Sequence, residues 1–462
     1  MKILYLSAEA TPYVKIGGLG DVAGALPAAL RSRGHDVRLM MPAYGLLDRQ
    51  KFGLEKKIDS FNVQMDWRNE TCQMWVNPST GDSFITNYYF FDNRFHVYGN
   101  GDEVEQFVLF CRAALEACRL EKWEPDIIHA NDWHTAAAIR LAWAKGKDRP
   151  GLVYTIHNMA HQGSQYPSGW PLLGVYDGRG SMNLMQQAII SADVVSTVSP
   201  TYAREILTPE GGCGLDGDLR TKGDRVRGVL NGLDLVSYDP STDKSLAANY
   251  SRGNLDNKKL CKSELQRRVG LEQNPDAPLI GMVSRLDFQK GIDLLLQVVD
   301  RIIDYSDAQI MVLGSGDHAY EVSVDQAAAR HRGRMATYIG YEGDLARQIY
   351  AGADIFLMPS LFEPCGLSQL IAMRYGTLPV ARATGGLRDT IVDVRSAEDG
   401  CGYLFENYDK EEMMYTLFEG AFKDYRDKGR WYAAIDRAMS RDFSWKTAAA
   451  GYEELYKLAL ER

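Results

Sequence analysis

Residues 2–22 read KILYLSAEATPYVKIGGLGDV, and this stretch decides the fold class. Its apolar start, Lys2–Ser7, predicts a buried strand, and a glycine-rich loop leads from there into a helical pattern. Adjacent glycines let a backbone approach a phosphate closely, a helix N-terminus offers free N–H groups, and Lys15 adds a positive charge. Glycine-rich turns also join strands to helices without binding anything, so the loop alone leaves both interpretations open.

The same alternation of short apolar runs and longer helical patterns continues along the chain and predicts an α/β protein built from βαβ units. In the first half we predict strands near Ile3–Ser7, Val37–Met41, Ile85–Phe91, Asp126–Ala130, Val153–His157, Val194–Val198 and Val226–Leu230. In the second half we predict them near Leu279–Ser284, Gln309–Leu313, Ala336–Ile339, Ile355–Met358 and Leu378–Val380. Each half therefore has enough strands for its own doubly wound sheet. Two such sheets facing across a deep cleft would hold a ligand at the carboxyl ends of their strands.

The join between the halves falls in a polar stretch that contains Pro240. We predict an N-terminal Rossmann-like domain over residues 1–235 and a C-terminal Rossmann-like domain over residues 236–445. Residues 446–462 form a last helix with an apolar stripe that must pack against another part of the chain, for which the first domain is one candidate.

Composition excludes several classes of function. The 462 residues carry a formal charge of −9, and 45% of them are hydrophobic. The acidic balance argues against nucleic acid or an anionic membrane as a partner, because either would require a large basic surface. The seven cysteines include no C-x-x-C pair, which argues against a disulfide framework and against a zinc site. Widely spaced cysteines of this kind favour a reducing compartment.

We also expect a cytoplasmic location. The first strand begins at Lys2 and leaves no room for a signal peptide before it. No stretch approaches the roughly 20 apolar residues of a membrane span. The oligomeric state stays open.

A second cationic loop follows a predicted strand in the other half, where residues 284–293 read SRLDFQKGID. Arg285 and Lys290 lie five residues apart and could both face a cleft, where they would neutralise a diphosphate leaving group without a metal. Two solvated surface cations are the competing interpretation.

Residues 358–368, which read MPSLFEPCGLS, end another predicted strand and begin a helix. Glu363 would bring a carboxylate for sugar hydroxyls to the same place as helix N-terminal amides that can bind phosphate. Cys365 could act as a nucleophile, but no paired base is identifiable, so a small, partly buried packing role is favoured.

Two other kinds of site receive less support. The spacing of Gly18, Gly20 and Gly24 is similar to a loose dinucleotide fingerprint, but the loop is long and the next strand offers no acidic residue for a ribose. Asp216 and Asp218 have the D-x-D form of metal-dependent glycosyltransferases, although no further ligands accompany them. His129 and His134 flank Asp132, and strand-end packing explains them better than a metal.

Taken together, these motifs resemble the bacterial glycogen synthase and plant starch synthase family. The resemblance covers essentially the whole chain, in order. Its motifs are KxGGLGDV from Lys15, HANDWH from His129, TIHN from Thr155, GLDG from Gly214, NGLD from Asn231, SRLxxQKG from Ser284, FEPCGL from Phe362, and AMRYGTxP through TGGLxDT from Ala372 to Thr390.

The resemblance implies a GT-B fold and retaining transfer of glucose from ADP-glucose to the non-reducing end of an α-1,4-glucan such as glycogen. It implies no metal and no cofactor. Four residues take catalytic roles: His157, Arg285, Lys290 and Glu363. The residues implied to bind ADP-glucose are Lys15, Gly17, Gly18, Asn231, Arg285, Lys290, Tyr341, Cys365, Gly366, Leu367 and Thr384. Asp21, Asp132 and Trp133 lie toward the acceptor.

The chain departs from the family pattern at three positions. Leu361 replaces a common arginine, His161 a usual tyrosine and Tyr238 a frequent tryptophan. None of them touches the residues needed for transfer, but Leu361 puts the electrostatics near the phosphate in doubt. Two alternative functions stay open: a related GT-B enzyme that uses another donor such as UDP-glucose, and a non-catalytic glucan-binding relative.

Overall fold

The computed structural model describes residues 1–165, 169–174 and 180–461. Contacts divide the chain into two compact units. The first unit comprises Met1–Gly232 together with Trp445–Arg462, and the second comprises Leu233–Ser444. The division falls a few residues before residue 235, where we predicted the boundary, and the C-terminal helix belongs to the first unit.

The first unit contains eleven strands among its described residues. They are β1 Lys2–Leu6, β2 Asp36–Pro42, β3 Glu55–Met65, β4 Arg68–Val76, β5 Ser83–Thr86, β6 Ile127–Asn131, β7 Gly151–Ile156, β8 Ser164–Gln165, β9 Met182–Asn183, β10 Val194–Thr197 and β11 Val226–Gly228. Its helices up to the join are α1 Gly18–Ser32, α2 Glu103–Leu120, α3 Asp132–Trp143, α4 Trp170–Leu173, α5 Leu184–Ser191, α6 Pro200–Glu205 and α7 Asp216–Arg220. A short 3₁₀ turn spans Gly223–Arg225.

The second unit contains six strands, again among the described residues. They are β12 Leu279–Val283, β13 Gln309–Gly314, β14 Met335–Ile339, β15 Ile355–Met358, β16 Leu378–Arg382 and β17 Tyr403–Phe405. Its helices are α8 Lys258–Val269, α9 Ile292–Asp304, α10 His318–Arg330, α11 Gly343–Gly352, α12 Ser368–Arg374, α13 Gly385–Thr390, α14 Lys410–Tyr415, α15 Phe422–Arg426 and α16 Lys428–Ser440. A 3₁₀ turn covers Phe288–Lys290 and a π-helical segment Thr416–Ala421. The last helix of the chain, α17, spans Trp445–Leu460.

Both large sheets are doubly wound, which confirms the predicted α/β class. The second unit has the strand order β14-β13-β12-β15-β16-β17, and every neighbouring pair is parallel. The first unit has the order β11-β10-β7-β6-β1-β2-β5-β4-β3. In the second unit the chain starts at the inner strand β12, builds outward through β13 and β14 and then crosses to β15. In the first unit it starts at β1 and β2, continues at the edge strand β3, returns inward through β4 and β5, and then crosses to β6. The crossover leaves a switch point between β1 and β6 in one sheet and between β12 and β15 in the other, and the carboxyl ends at a switch point are where such sheets bind ligands.

Buried apolar runs explain why the parallel strands form. The residues of β1 from Ile3 onward and all residues of β6, β7, β13 and β15 are buried, as expected for strands covered by helices on both faces. The helix α17 packs on strands β7 and β10 of the first unit's sheet, and its Tyr452 and Tyr456 side chains are fully buried. Each unit therefore has its own hydrophobic core.

Two sequence predictions in the first unit need correction. The strand predicted over Ile85–Phe91 ends at Thr86, and Tyr88–Asp92 forms a π-helical turn whose start is capped by Asn87, which accepts the N–H of Phe90 at 2.9 Å. The antiparallel hairpin β3–β4 was not predicted. Its strands alternate exposed polar and buried residues, unlike the continuous apolar runs on which the prediction relied.

No helix in the described part of the chain is both long enough and apolar enough to cross a membrane.

Candidate active site

The switch point of the second unit brings two of the predicted loops together. Residues 284–291 follow β12, and residues 359–367 follow the neighbouring strand β15. Gly291 has φ of +72°, and a Cβ there would lie 2.1 Å from the carbonyl oxygen of Pro359. Only glycine fits at that position, so the sequence QKG is what allows the two loops to meet.

The centre of this cluster is an ion pair between Lys290 and Glu363. Lys290 Nζ lies 2.7 Å from Glu363 Oε2, and the two side chains are 17% and 8% exposed. The Ser360 hydroxyl donates to the same carboxylate oxygen at 3.1 Å. Asp287 accepts the backbone N–H of Lys290 at 3.1 Å and so fixes the turn that carries the lysine. A cation suited to phosphate and a carboxylate suited to sugar hydroxyls thus occupy adjoining positions.

Arg285 has a different environment. Its side chain is 64% exposed, and it pairs with Asp287 at 2.8 Å and donates to Gln289 at 2.9 Å. Both partners belong to its own loop, so the guanidinium is held beside the switch point and open to solvent. An anion would have to compete only with these exposed contacts, which are individually weak.

Residues 384–386 pack directly on the Glu363–Cys365 segment. The N–H of Gly386 donates to the carbonyl oxygen of Glu363 at 3.0 Å. A Cβ on Gly385 would lie 2.0 Å from that same oxygen, and one on Gly386 would lie 2.1 Å from the Cys365 carbonyl oxygen. The TGG motif is therefore a backbone-packing requirement. Thr384 and Cys365 are both buried beside it.

The remaining predicted residues of this unit divide into two groups. Gly366, with φ of +72°, and Leu367 lead into α12 next to Glu363, so the structure brings them into the cluster. Tyr341 follows β14, the outermost strand of the sheet, and is 83% exposed. The structure does not place Tyr341 beside the others.

The loop that contains Leu361 is held through its backbone by a neighbouring strand. Arg382, at the end of β16, donates to the carbonyl oxygen of Ser360 at 2.9 Å and also to that of Leu361. These bonds satisfy backbone acceptors on the Glu363 loop and hold its position.

In the first unit, the loop after β1 is organised around Glu9, a residue to which the sequence analysis gave no role. Its carboxylate is buried and accepts the N–H groups of Ile16 and Gly17, the latter at 2.9 Å. The Tyr98 hydroxyl donates to the other oxygen at 3.2 Å. A Cβ on Gly20 would lie 3.0 Å from Glu9 Oε2, so the glycines of this loop make room for a carboxylate of the protein itself.

The predicted loop residues surround that carboxylate. Gly17 precedes α1, and a Cβ on Gly18 would meet nothing within 4 Å among the described residues, so the helix N-terminus is open at this point. Lys15 Nζ forms a half-exposed ion pair with Asp21 at 2.7 Å. Gly24 packs against the loop, because a Cβ there would lie 2.4 Å from the Thr11 carbonyl oxygen. That packing explains Gly24 without a dinucleotide.

His157 follows β7, and its hydrogen bonds define its protonation. Asn131 Nδ2 donates to the Leu6 carbonyl at 2.9 Å, so Asn131 Oδ1 faces His157 Nε2 at 3.0 Å. An amide oxygen only accepts, which places the proton on Nε2 and leaves Nδ1 as an acceptor. Burial lowers the pKa of His157 to about 4, so the ring is neutral at pH 7.

The Asp132 carboxylate accepts hydrogen bonds from the backbone of the segment that carries His157. Asp132 begins α3 with φ of +54° and accepts the N–H of His157 at 2.7 Å and that of Asn158 at 3.3 Å. Burial raises the pKa of Asp132 to about 7, although these two donors favour its charged form. Asp132 therefore contacts the backbone of the predicted catalytic histidine.

Trp133 and Asn231 are both buried. The Trp133 ring packs edge-on against Phe107, and a Cβ on Gly163 would lie 2.2 Å from it, so the ring is enclosed. Asn231 Oδ1 has no hydrogen-bond partner within the described ranges. A buried acceptor of this kind costs free energy unless a ligand or water satisfies it.

Three of the candidate metal ligands, Asp216, Asp218 and His129, have hydrogen-bond or ion-pair partners in the protein. Asp216 pairs with Arg220 at 2.6 Å, and Asp218 accepts from Gln186 at 2.6 Å. His129 bonds to Tyr456 at 2.9 Å and Thr155 at 2.7 Å. Within residues 1–165, 169–174 and 180–461, no group of three or more histidine, cysteine, aspartate or glutamate side chains is arranged to hold a metal ion.

Comparison with known proteins decides the family. Residues 2–221 match the family model described as starch synthase catalytic domain, and residues 264–426 match glycosyl transferases group 1. Glycogen synthase 2 of Geobacter sulfurreducens is 41% identical over 100% of this chain and 99% of its own length. The chain belongs to the glycogen and starch synthase family. Glycogen synthase of Clostridium beijerinckii is 40% identical over 99% of each chain.

A solved structure of the family extends the comparison to the fold. The catalytic domain of starch synthase IV from Arabidopsis thaliana, bound to ADP and acarbose, is 34% identical with a TM-score of 0.91, and the match covers 100% of this chain and 99% of that one. The fold of this glycogen and starch synthase family member is therefore the predicted GT-B type, with two Rossmann-like domains.

In each unit the structure gathers most of the predicted residues at or next to the switch point, whereas Asn231 and Tyr341 follow the edge strands β11 and β14. Lys290, Glu363, Cys365, Gly366, Leu367 and Thr384 lie together in the second unit, with Arg285 at the edge; Lys15, Gly17, Gly18, Asp21, Asp132, Trp133 and His157 follow β1, β6 and β7 in the first. Sequence reasoning missed Glu9 and Asn131. Glu9 stands in the stretch 2–22, three residues after the end of β1, and Asn131 is the last residue of the buried strand β6. Polar residues near the carboxyl ends of parallel strands are where ligand sites are expected, so these positions could have identified both.

Proposed function

We propose that this glycosyltransferase moves glucose from ADP-glucose to the non-reducing end of an α-1,4-glucan, with retention of the anomeric configuration and without a metal. The observation that carries the proposal is the contact of 2.7 Å between Lys290 and Glu363 at the switch point of the second unit. A nucleotide sugar has a phosphate and a sugar on either side of the bond that breaks. A cation and a carboxylate side by side match that division.

The chemistry requires positive charge at the leaving group. Cleavage of the bond between glucose and diphosphate makes the sugar oxocarbenium-like and adds negative charge to the diphosphate. In the second unit, Lys290 and Arg285 would stabilise that charge. In the first unit, taken by itself, the N-terminus of α1 and Lys15 offer a group that can bind an anion. Glu363 would hold sugar hydroxyls, for which its charged oxygens are strong acceptors.

The first unit has two neutral acceptors that can bind sugar hydroxyls. The unprotonated Nδ1 of His157 and the orphaned Oδ1 of Asn231 can each accept a hydroxyl hydrogen bond. We assign both residues to orientation of the sugar rather than to proton transfer.

The donor and acceptor are supported by the relatives. The starch synthase IV structure contains ADP and acarbose, and the full-length relatives carry the name glycogen synthase. By this similarity ADP-glucose is preferred over UDP-glucose, and glycogen is the acceptor. All seven cysteines are free thiols, which fits a cytoplasmic reaction.

The test is incorporation of labelled glucose into glycogen from ADP-glucose and, separately, from UDP-glucose, each with and without EDTA. We expect incorporation from ADP-glucose that EDTA does not reduce, and release of the added glucose by an exo-acting α-1,4-glucosidase. Preference for UDP-glucose would contradict the donor assignment. Binding of glycogen without incorporation from either donor would show a glucan-binding protein instead of a transferase.

A further inference from the structure

A separate cavity of about 530 Å³ lies within the second unit, away from the candidate active site. Asp354, which directly precedes β15, and residues 275–276, which lie just before β12, line it. These residues stand at the amino ends of the two strands whose carboxyl ends carry Glu363 and Arg285. The cavity is therefore at the opposite edge of the sheet, and its volume is that of an ordinary small-molecule site.

Four lysines line this cavity. The ammonium groups of two of them, Lys258 and Lys262, form hydrogen bonds or an ion pair with other residues of the protein. Lys258 Nζ donates to carbonyl oxygens of Ala351 and Ala353, at 2.8 and 3.0 Å. Lys262 Nζ pairs with Asp354 at 2.7 Å and donates to the carbonyl oxygen of Ala277. These contacts fix both ammonium groups in the wall of the cavity.

The other two lysines, Lys259 and Lys428, are exposed. Among the described residues neither forms an ion pair, and the Lys428 ammonium lies 3.4 Å from the ring centroid of Tyr425. Burial lowers the pKa of Lys428, and the nearby charges of Lys262 and Lys259 lower it further, against the carboxylates of Asp354 and Asp276. An anion between Lys259 and Lys428 would relieve this repulsion between cations.

The rest of the wall suits a hydroxylated body better than a bare ion. The Tyr432 ring is 41% exposed and offers a face on which a sugar ring can pack. Ser263, Gln273 and the carboxylate of Asp276 add groups that bond to hydroxyls. Asp276 would repel a phosphate placed against it, so phosphate and hydroxyls must point to opposite ends of the cavity.

We propose that this cavity binds a small phosphorylated sugar, with the phosphate between Lys259 and Lys428 and the sugar between Tyr432 and Asp276. The site is distinct from the one that would hold a nucleotide sugar. It does not depend on the proposed donor or acceptor.

The experiment is calorimetric titration of the intact protein with glucose 6-phosphate as the probe, in the presence of saturating ADP to occupy the donor site. We expect one site per chain. The double variant Lys259→Met with Lys428→Met should weaken binding about a hundredfold, because two charge-assisted contacts are lost. Lys244→Met with Lys423→Met is the matched control: it removes the same charge from exposed lysines of the same unit that do not line the cavity, and should bind as the wild type does.

Inorganic phosphate and free glucose separate the two halves of the proposal. We expect phosphate to bind at least tenfold more weakly than glucose 6-phosphate, and glucose to give no detectable heat. Equal affinities for phosphate and the sugar phosphate would overturn the sugar assignment. Undiminished binding to the Lys259/Lys428 variant, or no binding to the wild type, would overturn the site. Synthase activity without glucose 6-phosphate should be the same in all three proteins, so failure of this proposal would not be confused with failure of the proposed reaction.

Discussion

Replacement of Lys290 by Met tests the ion pair on which the proposed reaction depends. The change keeps most of the side-chain volume and removes the charge 2.7 Å from Glu363. At an effective dielectric constant of about 20, two unit charges at that separation attract by about 6 kcal/mol, of which desolvation cancels a part. Loss of one partner from a buried pair costs about 3–5 kcal/mol. Since Ser360 still donates to Glu363, we expect the lower end, about 3 kcal/mol.

The catalytic effect has a separate magnitude. Removal of one preorganised group that stabilises developing negative charge lowers turnover by about 10²–10³-fold. We therefore expect Lys290→Met to lower kcat at saturating ADP-glucose by at least about a hundredfold per folded molecule. The thermal midpoint of the second unit should fall by roughly 6–12 °C for a loss of about 3 kcal/mol.

Two control variants separate catalysis from stability. Lys222 is a half-buried lysine of the first unit whose Nζ donates to the carbonyl oxygens of Ile190 and Ala192, at 2.9 and 2.8 Å. Lys222→Met should lower stability but leave turnover per folded molecule unchanged. Lys290→Arg should keep much of both, because the charge remains. A Lys290→Met enzyme that is destabilised yet turns over within about threefold of wild type would refute the assignment of Lys290 to the leaving group.

Four further outcomes follow from the contacts described above. Glu9→Ala frees two loop N–H groups and should lower kcat/KM for ADP-glucose about tenfold; an unchanged value in steady-state kinetics would show that the loop does not need this carboxylate. Glu363→Gln should lower turnover about a hundredfold or more, and intact-mass spectrometry of the wild-type enzyme during turnover should find no glycosyl adduct, whereas a covalent sugar on Glu363 would indicate a nucleophile. Tyr456→Phe leaves His129 Nδ1 without its partner and should cost about 1–3 kcal/mol in thermal unfolding without loss of turnover per folded molecule. Asp132 has a folded-state pKa of about 7, above its ordinary value of 3.8, so between about pH 4 and pH 7 the folded protein binds a proton that the unfolded chain does not. The contribution of Asp132 to the free energy of unfolding should therefore fall as pH rises through this range. Asp132→Asn should remove this pH dependence from unfolding midpoints measured between about pH 4 and pH 7.

The parallel core was the part of the fold that the sequence predicted best. Strands such as Gly151–Ile156 and Ile355–Met358 are buried throughout, and a continuous apolar run is visible without knowledge of the partner strand. The hairpin over Glu55–Met65 and Arg68–Val76 was missed because one face of each strand is polar and exposed. A strand was wrongly predicted over Tyr88–Phe91, because aromatic residues are common in strands. Tyr88–Asp92 instead forms a helical turn whose N-terminus is capped by Asn87.

The candidate site was predictable by motif but not by contact. Lys290 and Glu363 are 73 residues apart, and only the strand order β12–β15 makes them neighbours. The pairing of Lys15 with Asp21 and the burial of Trp133 likewise depend on side-chain positions that no spacing encodes. Glu9 was overlooked because glycine-rich loops suggest an external anion, whereas this loop already surrounds a carboxylate of its own.

The first unit is assembled from both ends of the chain, and this has a consequence during translation. Tyr452 and Tyr456 complete its core, yet the ribosome delivers them only after all of Leu233–Ser444 has emerged. The second unit can thus reach its native state while the earlier one still exposes the surface of β7 and β10 that α17 will cover. The core of the first unit is therefore complete only after Trp445–Leu460 has been synthesised, and a nascent polypeptide that stalls before this helix would contain a folded second unit and an incompletely packed first unit.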